Sequence, residues 1–175
     1  MKIGIGLSRL LWPGLIAPVL VALDQASKYW IVATIPENTI GVRLMNDFLW
    51  IVHSRNLGIA FSIGDDLSRV IRIGLFILLP AVFMALATGY MAKSEKLTSL
   101  QRLAIAIIVG GGMGNLIDRI FRPEGVVDFL SFSLFGFLGL DRFFTFNVAD
   151  TSVTVGACLI LLSGFLWEKE AKNHE

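Results

Sequence analysis

The chain has 175 residues, of which 55% are hydrophobic and only 17% are charged, and its mean hydropathy is +0.72. Because a soluble domain carries about a quarter charged residues, this composition indicates an integral membrane protein, and we expect one domain over residues 1–175. The formal net charge of +1 argues against a nucleic acid partner, which requires a basic surface. The single cysteine, Cys158, excludes an internal disulfide.

Four segments are apolar and long enough to cross a bilayer, which takes about 20 residues. The predicted spans are 10–32, 73–92, 103–121 and 143–167. The first follows Lys2 and Arg9 as a signal peptide would, but no small-residue cleavage site follows, so we interpret it as a retained span. The predicted fold class is therefore an all-α membrane protein with four transmembrane helices.

The first span contains two charged residues, Asp24 and Lys28. Their i, i+4 spacing places them on one helix face, with the acid on the N-terminal side, which is the better orientation for a pair. One interpretation is an ion pair that holds both charges at the membrane edge. The other is that they belong to a polar site.

The connection after the first span has the composition of β-strands. Residues 48–53 and 58–63 are rich in aromatic and β-branched side chains, and 54–57 has the composition of a turn between them. We therefore predict a small antiparallel sheet at the membrane surface.

The third span combines a glycine cluster with a polar end. The glycines, four between positions 110 and 114, either let a neighbouring helix approach closely or loosen the span. Asn115, Asp118 and Arg119 follow at i, i+3 and i+4, which is one helix face. Arg119 is suited either to hold a carboxylate or carbonyl with its planar fork, or to anchor the helix at the interface.

The connection after the third span is crowded with phenylalanines, at positions 129, 132, 135 and 137. It is too short, and too broken by Gly136 and Gly139, to cross the membrane. We expect an interfacial aromatic segment that lies on the bilayer.

Two aspartates lie among apolar and aromatic neighbours, Asp128 within 126–129 and Asp150 within 146–150. A charge at the centre of a bilayer costs roughly 2.5–3.5 kcal/mol, so an ionisable residue in such surroundings indicates a functional site. Two carboxylates with no metal-ligand cluster nearby indicate a pair that shares a proton, which is the chemistry of an aspartic protease. The structural alternatives are a solvated loop residue for Asp128 and a helix N-cap for Asp150, with Asn147 three residues before it.

The polar residues are predicted to meet at one face of the membrane. Successive spans run in opposite directions, and the polar residues lie near the C-terminal ends of spans one and three but near the N-terminal end of span four. Lys and Arg are almost evenly divided between the two faces, so the positive-inside rule leaves the orientation open. A proton or ion transport protein would need polar residues at both faces or at the midplane. Transport and a purely structural membrane subunit remain the alternatives to an enzyme.

Other chemistries have little support in the sequence. The two histidines, His53 and His174, and the lone cysteine do not form a zinc-ligand pattern. Ser27 and Lys28 are neighbours that do not face each other on a helix, and no G-x-S-x-G motif occurs. Neither a metal nor a cofactor is expected.

Five segments in chain order resemble the signature blocks of the lipoprotein signal peptidases, the type II signal peptidases of bacteria. They are Asp24-Gln25-Ala26-Ser27-Lys28, Asn56-Leu57-Gly58-Ile59-Ala60-Phe61, Gly114-Asn115-Leu116-Ile117-Asp118-Arg119, Val126-Val127-Asp128-Phe129 and Phe146-Asn147-Val148-Ala149-Asp150. Ile59 departs from the pattern, because the family usually has a small residue there. Its effect on the site is left open.

The resemblance implies an aspartic endopeptidase of the bacterial inner membrane, with both termini cytoplasmic and with the sheet and the active site on the extracytoplasmic side. The implied substrates are prolipoproteins that carry a diacylglyceryl group, which are cut just before the lipidated cysteine. Membrane lipid is the other implied partner, and the oligomeric state is left open.

The same resemblance implies roles for individual residues. Asp128 and Asp150 would form the catalytic dyad. The other implied residues would line or support the site: Asp24, Lys28, Asn56, Gly58, Asn115, Arg119 and Asn147.

Overall fold

The computed structural model describes residues 3–58 and 68–172. Five α-helices and three strands occur in these ranges, and a π-helical turn, Gly74–Leu78, joins α2 to α3. In chain order the elements are α1 (Ile3–Thr34), β1 (Thr39–Leu44), β2 (Leu49–Asn56), α2 (Arg69–Ile73), α3 (Leu79–Lys93), α4 (Ser99–Phe121), β3 (Val126–Phe132) and α5 (Val148–Lys172).

Four helical segments are long and apolar enough to cross a membrane, which confirms the predicted number of spans. They are Gly14–Thr34, Val70–Lys93, Ser99–Phe121 and Val148–Leu166. Large apolar side chains such as Leu86 and Phe165 are exposed on these helices. Such exposure suits a helix whose solvent is hydrocarbon, since all its backbone groups are paired internally.

The helix α4 is the centre of the bundle and packs against α1, α3 and α5. Its glycines make this possible: a Cβ on Gly110 would lie 2.9 Å from the Cα of Ala17, and one on Gly111 would lie 2.5 Å from the carbonyl oxygen of Ala149. The glycine cluster therefore serves close helix approach, which decides between the two interpretations of its sequence.

The second span continues from α2 into α3 through the π-helical turn. Leu79 donates its N–H to the carbonyl of Gly74, five residues back, and Pro80 lies at the start of α3. A π turn inserts an extra residue into the helix and rotates the side chains that precede it relative to those that follow.

The sheet differs from the prediction in its pairing. Its order is β1-β2-β3, with both pairs antiparallel. The predicted turn at 54–57 is wrong for residues 54–56, because β2 continues to Asn56 and pairs there with Val126 of β3. The predicted strand 58–63 lies, beyond Gly58, outside the described residues. A partner about 70 residues away in the chain overrides the local turn preference.

Residues 126–132 of the predicted aromatic segment are thus a strand. Phe129 is buried and packs with Val127, Ile31 and Ile35 in the core between α1 and the sheet. The phenylalanines beyond the strand, such as Phe135, are exposed. A position of these rings on the bilayer surface stays a prediction.

The fourth span begins later than predicted. Helix α5 starts at Val148, not at residue 143. The preceding residues are extended along β3: Phe143 donates its N–H to the carbonyl of Phe132, and Phe146 donates to that of Leu130. These hydrogen bonds pair the backbone groups at the free edge of β3, so the chain stays extended until α5 begins at Val148.

Candidate active site

The polar residues of α1, α4, β3 and α5 meet at one end of the bundle, below the sheet. Asp24, Lys28, Asp118 and Asn147 are completely buried, and Asn115 and Asp128 are nearly so. The convergence predicted from the span directions is therefore seen in the structure. Every charge here needs a partner, because an unpaired charge in such a place is strongly unfavourable.

Asp128 lies on β3 and accepts one hydrogen bond on each carboxylate oxygen. Asn147 Nδ2 donates to Oδ1 over 2.7 Å, and Asn56 Nδ2 donates to Oδ2 over 3.1 Å. Gly58 donates its backbone N–H to Oδ1 of Asn56, which turns the NH₂ group of that amide towards Asp128. Asp128 is 2% exposed, so it is not a solvated loop residue.

Gly125 allows β3 to start beside Asn56. Its φ of +105° is a conformation that favours glycine, and a Cβ at this position would lie 2.6 Å from the carbonyl oxygen of Asn56. The close approach of these two backbones brings the amide of Asn56 within reach of Asp128.

Asp150 and Asn147 form a reciprocal cap at the start of α5. Asp150 donates its backbone N–H to Oδ1 of Asn147 over 2.9 Å, and Asn147 donates its backbone N–H to Oδ2 of Asp150 over 3.2 Å. Asn147, which directly precedes the helix, is therefore the capping residue, and the alternative of Asp150 as N-cap is wrong. The cap holds the Asp150 carboxylate at the helix N-terminus, where the helix dipole favours negative charge.

Two asparagine side chains connect the two aspartates. Asn115 Nδ2 donates to Oδ1 of Asp150 over 2.7 Å. Asn147 Nδ2 donates over 3.1 Å to Oδ1 of Asn115, in addition to its bond to Asp128. The carboxylates from β3 and α5 are thus held against a common pair of amides, and neither can turn away without losing hydrogen bonds.

The pKa of Asp128 is raised to about 7, first by burial and then by the nearby negative charge of Asp150. The hydrogen bonds from Asn56 and Asn147 and the charge of Lys28 oppose this increase. At neutral pH Asp128 therefore exchanges a proton readily, which an ordinary aspartate, with a pKa near 3.9, does not.

Lys28 forms a buried network behind the aspartates. Its Nζ lies 2.8 Å from Oδ2 of Asp24 and 2.9 Å from Oδ2 of Asp118, and it donates to Oδ1 of Asn115 over 2.8 Å. The three ammonium hydrogens thus have three acceptors. Asp24 also accepts the backbone N–H of Ala149, which ties α1 to the first turn of α5 beside Asp150.

Sequence reasoning missed two members of this network. Gln25 Nε2 lies within 3.2 Å of oxygens of Asp24, Gly114 and Asp118, so it joins α1 to α4. Arg122 forms an ion pair with Asp118 at 2.9 Å. Gln25 was detectable as a polar residue inside an apolar span, whereas Arg122 gave no signal beyond its charge.

Arg119 lies at one side of the site, on the wall of a cavity of about 820 Å³. The carboxylates of Asp150, Asp128 and Asp118 all attract its charge. Its guanidinium lies over the ring of Phe76, with 5.7 Å from Cζ to the ring centroid. Leu57 and Gly125 line the same cavity, so it adjoins the C-terminal end of β2, where Asn56 lies.

Within the described ranges, no group of three His, Cys, Asp or Glu side chains is arranged to hold a metal ion. The chain has four spans, and amides bridge the two carboxylates at one end of the bundle. The protein is therefore a multi-pass membrane protein with a paired-aspartate site.

The sequence profile of the family described as Signal peptidase (SPase) II matches residues 16–166. A lipoprotein signal peptidase of Treponema pallidum is 40% identical over 157 residues, which are 90% of this chain and 84% of that protein. A lipoprotein signal peptidase of Borrelia garinii subsp. bavariensis is 40% identical over 154 residues, 88% of this chain and 89% of that protein.

A solved structure of a bacterial membrane enzyme, determined by the in meso method at 2.3 Å resolution, has a TM-score of 0.74 and 29% sequence identity to this chain. The match covers 100% of this chain and 94% of that structure. The chain belongs to the signal peptidase II family. It is a membrane peptidase.

Proposed function

We propose that this protein is an aspartic endopeptidase that removes the signal peptide from diacylglyceryl-modified prolipoproteins, with Asp128 and Asp150 as its catalytic pair. The amide bridge between the two carboxylates carries the proposal, because it holds two acidic groups from separate elements at one place. The proposed lipoprotein substrates agree with the names of the relatives, which are lipoprotein signal peptidases. Cleavage just before the lipidated cysteine is what the resemblance of the five segments implies.

The two aspartates of the pair would have different roles because they differ in protonation state. Two carboxylates close together do not both ionise readily, so one retains a proton near neutral pH. The raised pKa of Asp128 supports its assignment as the protonated member. Asp150, capped at the helix N-terminus, would be the ionised member.

In the first step, Asp150 takes a proton from a water molecule whose oxygen attacks the scissile carbonyl carbon. Asp128 donates its proton to the carbonyl oxygen, so the tetrahedral intermediate forms without a free oxyanion. In the second step, the proton on Asp150 passes to the leaving nitrogen and the C–N bond breaks. Asp128 recovers a proton from a hydroxyl of the intermediate. The products are a signal peptide with a new carboxyl terminus and a protein with a free amine on its lipidated cysteine.

A site at the end of the bundle suits a lipid-anchored substrate. The acyl chains can stay in hydrocarbon while the peptide bond reaches the polar residues and water. We place this site and the sheet on the extracytoplasmic face, with both termini in the cytoplasm, as the resemblance implies. Labelling single cysteines introduced in β1 with a membrane-impermeant thiol reagent in intact cells tests this orientation: protection of β1 would contradict it.

The function is tested with purified protein in detergent and two forms of one prolipoprotein, with and without the diacylglyceryl group. We expect cleavage before the lipidated cysteine of the modified form only, with both products identified by mass spectrometry. Equal cleavage of the unmodified form would contradict the proposed substrate class, and no cleavage of either form would contradict the proposed function.

The activity is expected to fall as the pH rises above about 7. Asp128 has its pKa raised to about 7, so it is protonated below that pH and loses its proton above it. Once the proton is lost, kcat/KM should fall about tenfold per pH unit. A profile of kcat/KM from pH 5 to 9 measures this, and a flat profile up to pH 9 would contradict the assignment.

The raised pKa of Asp128 also makes the stability of the folded protein depend on pH. Between the ordinary pKa of an aspartate and about 7, the folded protein holds a proton that the unfolded chain has lost, so unfolding becomes easier as pH rises through this window. Asp128→Asn should weaken this dependence, which provides the control.

Arg119→Ala is expected to raise KM more than it lowers kcat. The side chain lies on the cavity wall, and the aspartates are held by asparagines, so its loss removes a donor for the substrate and leaves the pair in place. Loss of a charged hydrogen bond corresponds to roughly a tenfold or greater rise in KM. Arg43→Ala, on the exposed face of β1, is the matched control. Unchanged kcat/KM at low substrate would contradict this role.

A further inference from the structure

Arg119 differs from three other arginines near the site, because it has no hydrogen-bond acceptor among the described residues. Arg55, Arg122 and Arg142 donate to a carbonyl or carboxylate oxygen. Arg119 forms neither a hydrogen bond nor an ion pair with any residue in 3–58 or 68–172. A guanidinium has five N–H donors, and none of those of Arg119 is taken by a residue in these ranges.

Among the described residues, the Arg119 guanidinium lies against the ring of Phe76. The ring is 8% exposed and the guanidinium carbon lies 5.7 Å from its centroid, within the range of a cation–π contact. Such a contact fixes the position of a guanidinium without occupying its in-plane hydrogens. The donors of Arg119 can therefore be held in place and still be available.

The position of Phe76 depends on the π-helical turn of the second span, Gly74–Leu78, of which it is the central residue and the buried one. The side chains of Ile73, Phe76 and Ile77 line the cavity together with Arg119. The extra residue of a π turn changes which side chains face a neighbouring helix, and such turns are frequent at functional sites.

We propose that Phe76 is a positioning residue of the active site: its ring, presented by the π turn, holds the Arg119 guanidinium at the cavity wall with its donors directed to the substrate. The inference rests on the proposed function, because it assigns Arg119 to substrate binding. It adds an aromatic residue of the second span, which also contributes Arg72 to the cavity wall.

The first test compares steady-state kinetics of Phe76→Leu, Phe76→Tyr and the wild type on lipidated prolipoprotein. We expect Phe76→Leu to raise KM about 3- to 10-fold, the size of a partly desolvated cation–π contact, with little change in kcat. Phe76→Tyr keeps the ring and should restore KM. Phe83→Leu, on the lipid-exposed side of the same span, is the matched control and should leave both constants unchanged.

A purely structural role for Phe76 gives a different result. If Phe76 only stabilised the fold, Phe76→Leu would reduce the number of active molecules, which would lower the apparent kcat and leave KM unchanged. That result would overturn the proposal. A double-mutant cycle adds a second criterion: in the Arg119→Ala background, Phe76→Leu should raise KM no further, because the ring then has no cation to hold. Additive effects would also overturn it.

A second measurement does not depend on cleavage. Phenylglyoxal modifies accessible guanidinium groups, and mass spectrometry of the peptide that contains Arg119 reports its rate. We expect faster modification in Phe76→Leu than in the wild type or in Phe83→Leu. Equal modification rates would overturn the positioning role of Phe76. The modification experiment does not require cleavage, so failure of the wild type to cut the lipidated substrate would contradict the proposed function alone.

Discussion

Replacing either aspartate of the pair by asparagine is expected to lower kcat by roughly 10³-fold or more, because each removes a proton donor or acceptor that general acid–base catalysis requires. Asparagine has almost the same size and can accept the hydrogen bond that Asn147 donates to Asp128 or that Asn115 donates to Asp150. Both variants should therefore insert and fold. Single-turnover cleavage of lipidated prolipoprotein in detergent measures the effect.

Asp141→Asn is the matched control, because Asp141 is an exposed aspartate in the segment between β3 and α5. It should cleave like the wild type. Thermal unfolding of each purified variant shows whether lost activity reflects lost structure. Cleavage within tenfold of the wild type by a folded Asp128→Asn or Asp150→Asn would exclude that residue from the catalytic pair.

Lys28→Met is expected to destabilise the protein more than any single change at its surface. Methionine matches the lysine in length, so the loss is that of the ammonium, which lies 2.8 Å from Asp24 and 2.9 Å from Asp118. Both carboxylates are completely buried and would lose the cation that they share, while Asp118 would keep its ion pair with Arg122. Removing one partner of a buried ion pair costs about 3–5 kcal/mol, and for a chain of this size the Tm should fall by roughly 10 °C.

Arg43→Met is the control for Lys28→Met. It removes one cation from an exposed pair with Asp47 at 3.7 Å, and such pairs contribute about 1 kcal/mol at most. A charge-neutral variant provides the rescue: with Asp24→Asn and Asp118→Asn added, Lys28→Met no longer leaves buried charges and should recover part of the lost Tm. A Tm for Lys28→Met within 2 °C of the wild type, a margin of about 1 kcal/mol at most, would contradict the role of this network.

The locally encoded features were predicted well. Hydropathy over about 20 residues identified the four spans, because crossing a bilayer is a property of one continuous segment. The i, i+4 spacing of Asp24 and Lys28 predicted their ion pair, since helical geometry alone brings those side chains together. The direction of successive spans predicted that Asn115 and Asp150 would meet at one end of the bundle.

The errors occurred where contacts are distant in sequence. Residues 54–56 have the composition of a turn but extend β2, because β3 supplies their hydrogen-bond partners. Residues 143–146 continue the apolar pattern of the fourth span but are extended, because the edge of β3 binds them. In both cases backbone hydrogen bonds with a remote strand outweigh a weak local preference.

The sequence by itself determined the membrane class of this protein, its four spans and the meeting of its polar residues at one end, and by resemblance it predicted which two aspartates form the pair. Only the tertiary structure decided how the site is held. It showed that Lys28 serves Asp24 and Asp118 together, that Asn147 caps α5 while it binds Asp128, and that Phe76 lies under Arg119. The physical reason is that hydropathy and helical spacing act within one segment, whereas a buried charge or amide is satisfied by whichever remote groups the packing of α4 and the sheet brings to it.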